Sequence, residues 1–213
     1  MKLYYGADHK IIKPIFGFGN PSNDYGLGFY MTPTFNAAKL WASRFNDGYV
    51  ITYRIDLKPL NILHLDNNTE LDVLKWITIL IKHRFDNLER QRYKEIIDWL
   101  ISKFDIDLQG YDMVVGYRAD DSYFAYSKGF LSGEISLETL LEAMKLGKLG
   151  LQYVLISSKA FSLIQYLGAE KVNKSSEYEN FRNKTLSDYH ILKTKEDRFK
   201  NTFIGEIMKK YGR

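Results

Sequence analysis

The stretch Asn23-Asp24-Tyr25-Gly26-Leu27-Gly28-Phe29-Tyr30-Met31-Thr32-Pro33 places two glycines directly ahead of an aromatic pair. Glycine lets a backbone bend sharply or lie close to another group. Tyr30 supplies a flat face and a hydroxyl. Phe29 to Met31 reads as a short strand. Thr32 then reads as an N-cap with Pro33 at the first helical position, opening a helix to about Phe45. Trp41 falls in that helix, where it can bring a second aromatic surface to the same cleft. Two aromatic planes can sandwich a flat heterocycle. A turn feeding a core strand accounts for the same residues with no ligand at all.

Outward from this point the chain alternates strands and helices. Lys2 to Tyr5 reads as a strand ending in Tyr4-Tyr5-Gly6, another aromatic run closed by a glycine. From Tyr49 to Leu57 apolar residues fall on every second position, the pattern of a half-buried strand. Asn61 to Leu65 is a further strand. Thr69 caps a helix to about Arg84, and Tyr93 to Phe104 follows the spacing of an amphipathic helix. Tyr111 to Gly116 and Gln152 to Ser157 read as strands. Asp121 to Leu131 and Lys159 to Leu167 read as helices. Ser136 caps a helix that Gly147 stops. The polar remainder ends in an amphipathic stretch, Phe203 to Tyr211. Strands at both ends with helices between them predict an α+β fold. The expected division is a domain over 1–170, with a helical insertion at about 69–104, and a basic, partly helical appendage over 171–213.

Composition narrows the chemistry. The chain of 213 residues has no cysteine, so thiolate nucleophiles and disulfides are excluded. His9, His64, His83 and His190 lie far apart without a metal-ligand spacing, so no metal is expected. Neither GxGxxG nor a P-loop opens a helix. No apolar run is long enough to span a membrane, and no signal-peptide pattern opens the sequence, so a cytoplasmic location is expected. The net charge of +4 is carried by residues 170–213, which hold 11 Lys/Arg against 7 Asp/Glu. A modest excess of this kind suits a nucleic acid or an acidic partner, or simply a solvated helical surface.

Leu3-Tyr4-Tyr5-Gly6-Ala7, Gly26-Leu27-Gly28-Phe29-Tyr30-Met31-Thr32 and Gln152-Tyr153-Val154 resemble the three spaced motifs of ADP-ribosyltransferases. The likeness is closer to a bacterial group known as a domain of unknown function, whose members often sit in toxin–antitoxin or phage-defence gene pairs. It extends to Tyr111-Asp112-Met113-Val114-Val115-Gly116, Ala119-Asp120-Asp121-Ser122-Tyr123-Phe124, Leu149-Gly150-Leu151-Gln152 and Ser158-Lys159-Ala160-Phe161, and covers about residues 2–167.

The resemblance implies a split β-sandwich of mostly antiparallel strands with an NAD cleft. NAD would be the substrate, with Tyr5, Gly6, Gly28, Tyr30 and Trp41 as its binding residues. The backbone of Gly6 would take the nicotinamide amide. Tyr30 would stack on nicotinamide, and Trp41 would close the sandwich. Tyr5 stands where the histidine–tyrosine–glutamate branch has its histidine, which meets the adenosine-side ribose. Gln152 stands where that branch has its glutamate. A glutamine still hydrogen-bonds but carries no charge, so Asp120 or Asp121 is the expected source of a carboxylate.

Three functions follow as expectations. The first is an NAD-dependent mono-ADP-ribosyltransferase, with Gln152, Tyr30, Asp120 and Asp121 as catalytic residues and a protein or nucleic acid as acceptor, acting as a toxin or in phage defence. The second is an NAD-binding or protein-interaction module in which the chemistry has faded. The third, compatible with either, is a partner of a small antitoxin-like protein that docks on the apolar stripe Phe203, Ile204, Ile207 and Met208.

Overall fold

A computed structural model describes residues 1–119, 121–145 and 150–212; of Asp121, Ser122 and Tyr123 it describes the backbone alone. The fold is α+β. Two mostly antiparallel sheets carry it, one of three strands and one of four. The first has the order β1 (Lys2–Ala7), β3 (Asp47–Arg54), β7 (Gln165–Asn173). The second has the order β2 (Phe29–Met31), β6 (Leu151–Leu155), β5 (Met113–Tyr117), β4 (Ile62–His64). Only β4 and β5 run parallel.

The alternation of apolar residues dictates how the sheets stack. Leu3, Ile51 and Tyr53 of the first sheet meet Phe29, Met31, Met113, Val115 and Leu155 of the second, all buried in one cluster. Side chains at the alternate positions point the other way. Val50 and Val172 therefore receive Ala38 and Ala42 of α1 (Phe35–Ala42). On the far side, Val114 and Val154 join the largest cluster, built on α2 (Glu70–Arg84), α4 (Lys94–Phe104), α5 (Asp121–Leu131) and α6 (Leu137–Lys145). The result is helix, sheet, sheet, helix.

Two expected caps are present. Thr69 Oγ1 accepts from the N–H of Asp72 at 3.1 Å, and Ser136 Oγ from that of Thr139 at 3.1 Å. Gly147, the expected stop after Ser136, lies outside the described residues. Thr32 does not cap a helix. Its N–H and C=O both pair with Tyr4, at 2.9 and 2.8 Å, so the chain stays extended and α1 starts only at Phe35. A short helix, α3 (Asn87–Arg92), precedes α4 and was not foreseen; Asp86 and Glu89 form its capping box. The helix expected over 159–167 is shorter, α7 (Ser158–Ser162), and is followed by β7.

The segment expected to be an appendage is part of the body. Strand β7 pairs with β3 along its length. Helix α8 (Glu177–Lys193) buries Tyr178, Thr185 and Tyr189. Helix α9 (Ile204–Tyr211) turns Ile204, Ile207 and Met208 into the largest core cluster. The stripe expected to receive a small partner is thus filled by the chain's own core. Among the described residues no helix is long and apolar enough to cross a membrane.

Candidate functional site

Strands β1 and β2 meet through a single bridge, Tyr4 to Thr32. In an antiparallel strand both backbone groups of alternate residues point to the same neighbour. Tyr4 turns its N–H and C=O to β2, so Gly6, two residues on, turns its own the same way. By the same alternation Tyr30 faces β1. Continued by one step, the register would set Gly6 against Tyr30, but the strands belong to different sheets and have parted. A cavity of about 810 Å³ opens at this parting.

Tyr5, Gly6, Gly28, Tyr30, Trp41 and Gln152 all line it. Residues far apart in the sequence are thereby brought to one wall. Asp120 lies outside the described residues. Asp121 opens α5, and its side chain is likewise outside them.

Each of these side chains has a definite setting. The Tyr30 hydroxyl donates to the carbonyl of Gly26 at 2.6 Å and accepts from the N–H of Tyr25 at 3.0 Å. Burial pushes its phenol well above the usual tyrosine range. It therefore stays neutral, and its ring face rather than its hydroxyl is what a ligand can use. Tyr5 stacks on Phe29 at 4.5 Å, and its phenol is raised by burial and then by Asp8. Gln152 is the second residue of β6, and its Oε1 is buried with no hydrogen-bond partner among the described residues. An orphaned buried acceptor is costly unless something else supplies the donor.

The glycines have structural reasons of their own. Gly26 takes φ +73°, and a Cβ there would stand 2.6 Å from the His83 ring. A Cβ on Gly28 would stand 2.6 Å from Val154 Cγ1, and one on Gly6 2.3 Å from the Ala38 carbonyl oxygen. Close backbone contact thus demands glycine at position 6, the positive φ favours it at 26, and Val154 crowds any side chain at 28.

Several wall residues carry no sequence signal. Asp24 is buried; its Oδ1 accepts from Arg84 at 2.8 Å and its Oδ2 from the N–H of Ala119 at 2.9 Å. Burial raises its carboxyl, and Arg84 opposes that. Arg44 and Arg118 both lie over the Trp41 indole, at 4.1 and 4.0 Å from its centroid. Tyr178 of α8 meets the same indole edge-on. Arginines at isolated positions form no motif, so only the folded chain reveals this cluster.

Residues 1–166 match the family described as Protein of unknown function (DUF3990). The chain belongs to that family. No curated protein and no solved structure matches it. The DUF3990 span contains every cavity residue named above except Tyr178. Among the described residues no group of three His, Asp or Glu side chains is placed to hold a metal ion.

Proposed function

We propose that this cleft binds NAD and that the protein is a mono-ADP-ribosyltransferase of the split β-sandwich type. The observation that carries the reading is convergence. Tyr5, Gly6, Tyr30 and Gln152, the residues of three separated motifs, share one cavity with Trp41 of the following helix. Its volume falls in the range of small-molecule sites. The buried, unpartnered Oε1 of Gln152 supplies an acceptor that suits a ribose hydroxyl.

Each residue then has a task. The outward-facing backbone of Gly6 offers one donor and one acceptor, which match a carboxamide. The ring face of Tyr30 supports the flat nicotinamide. Gln152 orients the ribose. In the reaction the bond between ribose and nicotinamide breaks, and its electron pair leaves with neutral nicotinamide. A lone pair of the acceptor forms the new bond to the same carbon and the acceptor's proton passes to solvent. Positive charge develops on the ribose as this happens. A neutral amide orients but does not offset that charge, and losing one such electrostatic group costs on the order of 100- to 1000-fold in rate. Slow turnover is expected, with a protein or nucleic acid as acceptor and a role in toxin–antitoxin or phage-defence systems.

One observation favours a second reading, an NAD-binding module without turnover. Asp24, a carboxylate in the cavity wall, is already paired with Arg84. Calorimetric titration with NAD, combined with nicotinamide release by the wild type and by Tyr5→His/Gln152→Glu, separates the two. A transferase binds NAD and releases nicotinamide before any substitution, faster with the glutamate. A module binds without release in either form. No binding by either form would end both readings.

A further inference from the structure

The side chains stacked around Trp41 are poorly used by a nicotinamide clamp. Arg44 lies 4.1 Å from the Trp41 centroid and 4.6 Å from that of Tyr178. Arg118 lies 4.0 Å from the Trp41 centroid. All four side chains face the cavity. The indole is therefore engaged by cations before any ligand arrives.

We propose that Arg44 and Arg118, carried on Trp41, form the subsite for the diphosphate of the bound nucleotide; this rests on the nucleotide reading above. Cation–π contact with the indole holds the Arg44 guanidinium in place without using its N–H donors. Its planar fork can then pair a phosphate through two parallel hydrogen bonds. Both guanidinium carbons sit close to the same indole, which gathers two positive charges at one place on the cavity wall.

The charge of the wall agrees. Arg84 is committed to Asp24 and to the Ala119 carbonyl. Arg44 has no carboxylate partner among the described residues. Lys10 and Lys13 add to the positive lining. Trp41 is thus a positioning residue that acts through the two arginines. Tyr178, which lies beyond the matched 1–166, brings α8 into the site.

The test is calorimetry on the full chain with ADP-ribose, inorganic pyrophosphate and nicotinamide, for wild type, Arg44→Ala, Trp41→Leu and Trp41→Phe. Arg44 is exposed, so its substitution leaves the core intact. Arg44→Ala is expected to weaken ADP-ribose and pyrophosphate by about tenfold or more while nicotinamide affinity holds. Trp41→Leu should also weaken ADP-ribose and pyrophosphate, and Trp41→Phe should restore most of that loss, a split that mere loss of folding would not give. Unchanged ADP-ribose affinity in Arg44→Ala overturns the proposal. If wild type binds pyrophosphate through Arg44 but neither NAD nor nicotinamide, the anion subsite stands and the transferase reading fails.

Discussion

A Cβ added to Gly6 would stand 2.3 Å from the carbonyl oxygen of Ala38, so β1 and α1 touch backbone to backbone. The same added atom would lie 3.1 Å from the Cβ of Trp41. Helix α1 can carry Trp41 to the cavity only because residue 6 has no side chain. Gly6→Ala should therefore push α1 outward at a cost of about 1–3 kcal/mol. Urea unfolding measures it. A midpoint equal to wild type would mean that the contact is not as close as described.

Gln152 sets stability against function. Its buried Oε1 lacks a partner among the described residues. Replacing it by leucine removes an unpaired acceptor at similar volume. Gln152→Leu should gain about 1–2 kcal/mol in stability and lose NAD binding. Thermal unfolding with and without NAD separates the two effects. A loss of stability without ligand would show that the amide has a structural partner.

Asp112 ties three elements together. Its oxygens accept from Ser157 Oγ at 2.7 Å, from the Asn61 N–H at 2.9 Å and from Lys159 Nζ at 2.9 Å. These bonds, Ser157 first, hold the carboxyl down to about 2. A carboxyl depressed in the folded state lends stability that is complete above the unfolded range near pH 4. It is lost as pH falls through about 2. Asp112→Ala should cost about 2 kcal/mol at neutral pH. Its loss of stability between pH 4 and 2 should be shallower than wild type in denaturant titrations. Parallel profiles would contradict the assignment.

Helix α9 and the turn before it give a sharp structural contrast. Ile207 is wholly buried, whereas Phe199 is fully exposed. Ile207→Ala should cost about 2–4 kcal/mol, and Phe199→Ser should fall within about 0.5 kcal/mol of wild type. Equal, small effects would mean that α9 is a detachable tail, as its polar surroundings in the sequence suggest.

That last case shows where sequence reading succeeds and where it stops. The Phe29–Met31 strand is legible because two glycines and a run of bulky residues allow little else. Thr69 and Ser136 are legible because a capping hydroxyl acts within its own turn. The stripe of α9 is legible as apolar, but not its destination, since nothing local says whether a helix meets its own core or a partner. Strand β7 escapes because it is an edge strand with many residues turned to solvent, so its alternation is faint. The site divides in the same way. Tyr5, Gly6, Gly28, Tyr30 and Gln152 are found through short spaced motifs, and Trp41 as an aromatic in the helix that follows the second of them. Arg44 and Tyr178 meet through the packing of α8 against α1, and Arg118 reaches the same indole from the end of β5. The expected carboxylates Asp120 and Asp121 stand beyond what the described side chains cover.

Transfer of ADP-ribose from NAD is checked by incubating the protein with labelled NAD and cell lysate. Label should become attached to a protein or nucleic acid, with an equal amount of nicotinamide set free, and both should be lost in Gln152→Leu. If neither label nor nicotinamide is seen at high protein concentration, the protein is not an ADP-ribosyltransferase.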